Sequence, residues 1–187
     1  MRIGIIGAGW MGGVHSDSYT RIPGCRVVGV ADIRPSAASS LAATWGARCY
    51  GDILSLLAAE TPDLADICLP TYLHKDAVLA CLERGVPVLC EKPIALSVAD
   101  ARAMCAASSR TRVPFFVAHV LRFFPEFTHM EKLLKDGLVG RPALVRGFRG
   151  GGFPKTGWEN WYASPSASGG VLVDLLIHDL DFLLSTL

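Results

Sequence analysis

The stretch Met1–Gly13, MRIGIIGAGWMGG, decides how the rest of the chain is read. A short apolar run (Ile3, Ile5, Ile6) meets a glycine turn, and a helix-length segment follows. Gly7, Gly9 and Gly12 have the G-x-G-x-x-G spacing. In such a turn the first glycine allows the bend out of a strand. The second lets backbone approach a pyrophosphate, and the third lets helix and strand pack closely. The helix start then offers free N–H groups and a positive dipole end to phosphates. The spacing alone is a weak signal, but its context is specific. Asp32 follows Gly12 by twenty residues, at the end of the second apolar run, Arg26–Ala31. An acid there accepts hydrogen bonds from an adenosine ribose. Strand, glycines, helix and acid in this order predict a dinucleotide site.

The chain has 187 residues, 51% of them apolar, with mean hydropathy +0.37 and net charge +1. That is a globular composition, enough for one full domain and part of another, and not a disordered one. No basic run points to nucleic acid. No uninterrupted apolar stretch is long enough to span a bilayer. Arg2 and the run to Val14 superficially resemble a secretory leader, but the glycines fall where a phosphate turn needs them, so a cytoplasmic protein is expected. The six cysteines, Cys25, Cys49, Cys68, Cys81, Cys90 and Cys105, form no C-x-x-C pair. They read as buried, reduced, inert thiols, and no metal site is expected.

Beyond Met1–Gly13, strands and helices alternate. Strands are expected at Arg2–Ile6, Arg26–Ala31, Arg48–Tyr50, Leu64–Leu69, Pro87–Cys90 and Phe115–Val120. Helices are expected from Trp10 to about Ile22 and at Ser36–Trp45, Ile53–Glu60, Tyr72–Arg84 and Val98–Arg110. Strands of buried type joined by helices specify an α/β fold, a doubly wound parallel sheet covered on both faces. Near Arg122 the pattern changes. Pro125 opens a helix to Asp136, Pro142–Phe148 alternates like a half-exposed strand, and Val171–Leu184 reads as one amphipathic helix. Between them Arg149–Gly170 is irregular yet carries Phe153, Trp158, Trp161 and Tyr162. A long aromatic loop in a compact domain is usually functional. The expected division is a dinucleotide-binding domain over 1–121 and the start of a second, α+β domain over 122–187.

Ligands of open parallel sheets bind beyond the carboxyl ends of the strands. Three such ends stand out. The first is the glycine turn with Gly7, Gly9, Trp10, Met11 and Gly12. The second holds Pro70, Thr71 and His74, and the third Glu91 and Lys92. A lysine at a buried strand end faces desolvation unless it meets an anion, a carbonyl or a hydroxyl; the plain alternative is a salt bridge to Glu91 or a capping role. The Lys92-Pro93 pair also invites a cis peptide. On the last helix Asp174 and His178 stand i, i+4, with Asp181 three further on. Strongly apolar neighbours (Val173, Leu175, Leu176, Ile177) argue against an ordinary solvated face. An imidazole there suits proton transfer from a hydroxyl.

With these residues in view, the chain resembles the Gfo/Idh/MocA oxidoreductases, the glucose–fructose oxidoreductase and inositol dehydrogenase family. The matching stretches are Ile3–His15, Ile67–His74, Gly85–Pro93, Leu121–Pro125 and Ser168–Asp181, in the family's order from end to end. The resemblance implies a Rossmann domain followed by an α+β substrate domain. It also implies hydride transfer between a nicotinamide and a hydroxyl carbon of a sugar, polyol or related compound. Lys92 would lie by the nicotinamide and steady the developing alkoxide. Asp174 would bind or orient substrate, and His178 would take the hydroxyl proton. Arg122 and Trp161 resemble positions lining the substrate cleft.

Two departures from the family pattern are visible. Leu176 stands where the family usually has glycine. The family's sheet also continues past the histidine helix, so Pro142–Phe148 would be an unpaired edge, and a homo-oligomer formed through that edge is expected. Asp32 favours the ribose diol of NAD over a 2′-phosphate, while Arg34 softens that preference toward NADP. Two other readings stand beside the oxidoreductase: a module that binds NAD(H) without turnover because its substrate domain is incomplete, and a relative that runs a net non-redox reaction with NAD retained.

Overall fold

A computed structural model describes residues 1–150, 152 and 157–187; Phe153, one of the four loop aromatics, lies outside the described residues. Six strands form one all-parallel sheet: β1 Arg2–Ile6, β2 Arg26–Ala31, β3 Arg48–Tyr50, β4 Leu64–Ile67, β5 Val88–Cys90 and β6 Phe115–Val117. Their order is β3-β2-β1-β4-β5-β6. The sequence direction reverses beside β1, so the crevice for a ligand opens above β1 and β4. Between strands run α1 Trp10–Tyr19, α2 Pro35–Ala43, α3 Ile53–Glu60, α4 His74–Leu82 and α5 Val98–Thr111. Local chemistry sets several of these starts. Pro35 sits at the first helical position of α2, where its missing N–H costs nothing. Asp52 and Ser97 cap α3 and α5 by accepting the Ser55 and Asp100 amides at 2.8 and 3.0 Å.

The sheet is buried on both faces, which is why its central strands read as continuous apolar runs. Ile3, Ile5, Val27 and Val30 pack with Tyr19, Ala38 and Ala42 on one side. Ile6, Ile67, Val88, Leu56, Val78, Leu82 and Met104 pack on the other. The glycine turn is fitted to this packing. Gly7 has φ +100°, and a Cβ on it would lie 2.6 Å from the Cys68 carbonyl oxygen. A Cβ on Gly12 would stand 2.1 Å from the Gly7 carbonyl oxygen, so α1 reaches this depth only without a side chain there.

Past β6 the described residues are helical or irregular. A 3₁₀ turn at Val120–Phe123 leads into α6 Pro125–Lys135; a second one at Trp158–Ala163 precedes α7 Pro165–Ser168, α8 Gly170–Asp174 and α9 Ile177–Thr186. Three expectations are corrected here. Pro142–Phe148 is not a strand: no described strand lies alongside to accept its ladder, and Leu144 and Phe148 are left exposed. Alternation marks a half-exposed strand only where a partner exists. The final helix is two helices. The Val171 carbonyl accepts both the Leu175 and the Leu176 amide at 3.0 Å, and this widened turn interrupts the ladder between Asp174 and His178. The cysteines are all free, but only Cys68, Cys81 and Cys90 are buried, whereas Cys49 and Cys105 are exposed. Burial pushes the Cys81 thiol up to about 12, and it keeps Cys68 and Cys90 well above the ordinary range, as inert thiols require. Among the described residues no helix is long and apolar enough to cross a membrane.

The close approach at Gly12 is directly testable. Gly12→Ala should destabilise the protein by more than about 3 kcal/mol, the upper end for overpacking, because the clashing atom is backbone. Urea denaturation measures it; an unchanged midpoint would contradict the packing described.

Candidate active site

The strand ends and the segment before α8 enclose a cleft of ≈ 370 Å³. Of the residues marked in the sequence, Gly7, Gly9, Trp10, Met11, Asp32, Arg34, Pro70, Thr71, Glu91, Lys92, Trp161 and Asp174 line it. Trp158 and Tyr162 line it too. Trp161 and Tyr162 stack with centroids 4.0 Å apart. Sequence reasoning saw these aromatics in a loop but singled out only Trp161, because a 3₁₀ turn carries no periodic signal that would aim the others. A second, more apolar hollow of ≈ 560 Å³ adjoins the first, sharing Asp32, Ile33, Leu69 and Leu73, with Ile53 and Ala77 farther in.

Asp32 sits at the floor between the two hollows. One of its oxygens accepts the Ala8 amide at 2.8 Å, tying the end of β2 to the glycine turn. Arg34 grips the carboxylate with a two-pronged fork, Nε at 2.9 Å and a terminal nitrogen at 2.8 Å, and adds its own amide at 2.8 Å. Burial alone would raise this carboxyl, but the Arg34 side chain and the Arg34 and Ala8 amides hold it below the usual carboxylate range.

Lys92 is joined to the C-terminal part of the chain. Its ammonium donates to the Asp174 carboxylate at 3.0 Å and to the Asp174 carbonyl at 2.8 Å. It does not pair with the Glu91 carboxylate, which instead accepts the Lys92 amide at 3.0 Å. The Lys92–Pro93 peptide is cis. The carbonyl bond exists because α8 ends at Asp174 and leaves that oxygen outside the helical ladder.

His178 lies in the first turn of α9 and does not line the cleft. It is half-buried, and its Nδ1 is buried without a hydrogen-bond partner among the described residues. Burial, then the charges of Lys92 and Arg149, push its imidazole below the ordinary range, so it is neutral at pH 7. The Lys92 charge therefore acts on His178 although the widened turn separates it from Asp174. Three other marked residues serve different ends. Gly12 lies beneath the turn, in the packing already described. His74 is 1% exposed, its ring nitrogens 2.9 Å from the Leu69 and Pro93 carbonyl oxygens, where it braces two of the strand-end loops rather than facing the cleft. Arg122 forks onto Asp181 at 2.7 and 2.6 Å, outside the cleft lining, and docks α9 on the turn after β6.

Comparisons with known proteins place this geometry. Residues 1–119 match the oxidoreductase family with an NAD-binding Rossmann fold, and residues 127–187 match the GFO/IDH/MocA C-terminal domain. The chain is 32% identical over 182 residues to an inositol 2-dehydrogenase of Rubrobacter xylanophilus, covering 96% of this chain and 50% of that protein. It is 32% identical over 177 residues to a 2,7-anhydro-N-acetylneuraminate hydratase of Mediterraneibacter gnavus, covering 95% and 46%. The crystal structure of an NAD binding oxidoreductase from Klebsiella pneumoniae superposes with TM-score 0.83 at 30% identity, over 100% of this chain and 53% of that one. The chain thus spans about half the length of the curated relatives it matches.

The charge coupling at this site makes a prediction. Replacing Lys92→Met removes a cation facing His178, so the imidazole midpoint should rise toward 6.5, its ordinary value. A histidine NMR titration of both proteins measures it; a midpoint that stays put or falls would separate the two residues.

Proposed function

The chain belongs to the Gfo/Idh/MocA oxidoreductase family, and from that premise we propose that it carries the cofactor and catalytic part of an NAD-dependent oxidoreductase acting on a CH–OH group of a sugar, polyol or related compound. The observation that carries the reading is the Lys92–Asp174 pair at the wall of a glycine-floored cleft. The fit to a dinucleotide rests on the chain itself. Gly7 and Gly12 leave no room for side chains beneath the turn, and Gly9 faces open space at the helix start. A pyrophosphate fits there, on the free amides of α1. The ribose diol would reach Asp32 by displacing the Arg34 fork, and the apolar hollow beyond would take the base. A carboxylate at that position favours NAD; Arg34 tempers the preference against NADP. The dinucleotide reading of 1–121 and the substrate-domain reading of 122–187 belong to the same proposal.

A bound nicotinamide supplies the hydride acceptor or donor. The chain's residues handle charge and protons around it. Lys92 carries an ammonium that steadies negative charge on a hydroxyl oxygen. Asp174 holds that ammonium in place and offers its second oxygen to a neighbouring hydroxyl. His178 is neutral and able to accept a proton in oxidation; in reduction the same group, protonated, returns it. Trp158, Trp161 and Tyr162 cover the cleft and provide apolar faces for a sugar ring or nicotinamide.

The inositol 2-dehydrogenase relative supports a polyol substrate. The hydratase relative keeps a second reading in play, a net non-redox reaction on a sugar with the nucleotide retained. Six free thiols suit a reducing compartment, consistent with a cytoplasmic protein. Exposed Leu138, Leu144 and Phe148 supply apolar surface for a homo-oligomer.

A polyol and sugar panel with NAD⁺, followed by nicotinamide absorbance and by product analysis, tests the reading. Turnover with reduction of NAD⁺ is expected, and Lys92→Met and His178→Asn should each lower kcat by about 10²-fold or more. Since His178 must be neutral to accept a proton and its affinity for one is depressed, the acid limb of oxidation should lie below pH 6.5. Nucleotide binding without any turnover supports the binding module instead; product without net reduction supports the non-redox reading.

A further inference from the structure

Beneath the cleft lies a chain of buried and partly buried polar groups that the proposed chemistry does not use. His15 on α1 faces β4 and β5. Its Nδ1 lies 3.0 and 2.9 Å from the two oxygens of Asp66, and its Nε2 lies 3.1 Å from a Glu91 oxygen. Asp66 is fully buried and also accepts the Tyr19 hydroxyl at 2.8 Å. Cys68 completes the surroundings, its sulfur 3.5 Å from Nδ1. The other Glu91 oxygen accepts the Lys92 amide.

Donor arithmetic fixes the state of the ring. An ionised carboxylate only accepts, so an imidazole set between two of them must donate from both nitrogens, and only the imidazolium can. Burial opposes that charge, and the hydrogen bonds to Asp66 and Glu91 more than offset it, which raises the group well above its ordinary range. The same His15 nitrogen, Asp66 oxygen and Cys68 sulfur lie within 4.8 Å of one another, as metal ligands would. The His15 ring and the Tyr19 hydroxyl both donate to Asp66, so hydrogen bonds account for these close approaches.

We propose that His15 is a positioning residue of the cleft: bridging Asp66 and Glu91, it fixes the Glu91 carboxylate against the Lys92 amide and so sets where the Lys92 ammonium stands. The proposal rests on the reading of Lys92 as a working residue of the cleft, and it deepens that reading. Without the bridge, Glu91 has no partner on its inner side. It turns or takes up a proton, and the backbone that carries Lys92 loses its anchor. Tyr19 and Asp66 form the buried end of the same chain and orient the ring. The first turns of α1 are thereby linked to the end of β5, so the element beneath the phosphate turn also sets the lysine.

The experiment is a double-mutant cycle on the full chain with His15→Gln and Glu91→Gln, read by the NMR chemical shifts of the Lys92 side chain and by the NADH dissociation constant. His15→Gln should shift the Lys92 side-chain resonances and weaken NADH binding by about tenfold, within the range for groups coupled through one network. In the Glu91→Gln background the same change should have little further effect, because residues acting in series do not add. Equal effects in both backgrounds would mean a direct field of His15 on Lys92 and would overturn the proposal, as would a drop in melting temperature with the Lys92 signal unmoved. If His15→Gln does not fold, nitrogen NMR of the unaltered protein decides. Both ring nitrogens must be protonated at pH 8, and a single neutral tautomer refutes the bridge. The Lys92 resonances need no turnover, so failure on the polyol panel with an intact cycle would sink the proposed activity and leave the positioning role standing.

Discussion

One ion pair between distant parts of the chain closes the site. Lys92 and Asp174 are 82 residues apart, and their side chains are only 17% and 15% exposed. A pair this far from water is held for its geometry more than for net stability, because desolvation consumes much of the attraction. It seats the break after α8 above the end of β5. The aromatic turn before α7 then covers the cleft, and α9 brings His178 within reach of the lysine's charge. Remove either partner and the other is left in a half-dry cleft with a charge to satisfy.

The rest of the fold delivers the two ends of that pair. A parallel sheet points all its carboxyl ends one way, so the glycine turn, Asp32 and Lys92 share one rim without any local sequence signal linking them. The glycine turn has a double role. Its lack of side chains leaves open space at Gly9 on one side and allows α1 to press on the sheet at the other. Because α1 is pressed there, His15 comes within hydrogen-bond reach of Asp66 and Glu91. Packing and electrostatics are thus the same constraint seen from two sides.

Much of this was legible in the amino-acid order. The six strands and the five helices between them follow from apolar runs, caps and glycine stops, and a long-range parallel sheet was implied by their alternation. Lys92 was readable because a lysine at a buried strand end needs a reason. The misread elements share a cause, which is that local pattern stands in for tertiary partners. Pro142–Phe148 alternates but has no described neighbour to pair with. Val171–Leu184 has helical spacing throughout, yet one carbonyl accepts two amides and breaks it, so the i, i+4 relation of Asp174 and His178 does not place both in the cleft. His74 looked like a ligand because it stands at a strand end, although only the fold reveals the two carbonyls it braces. The His15 network was invisible for the same reason, since its members lie on α1, β4 and the end of β5.

The central claim is spatial: a nucleotide seated on the glycine turn brings its nicotinamide ring beside the Lys92 side chain. Intermolecular nuclear Overhauser effects between nicotinamide protons and the Lys92 ε-methylene, in a complex of the labelled protein with NAD⁺, measure that directly. The account predicts contacts from the ring's C4 proton to Lys92, lost when Gly9→Val fills the space at the helix start. Saturable NAD⁺ binding whose ring protons contact other residues and never Lys92 would contradict it.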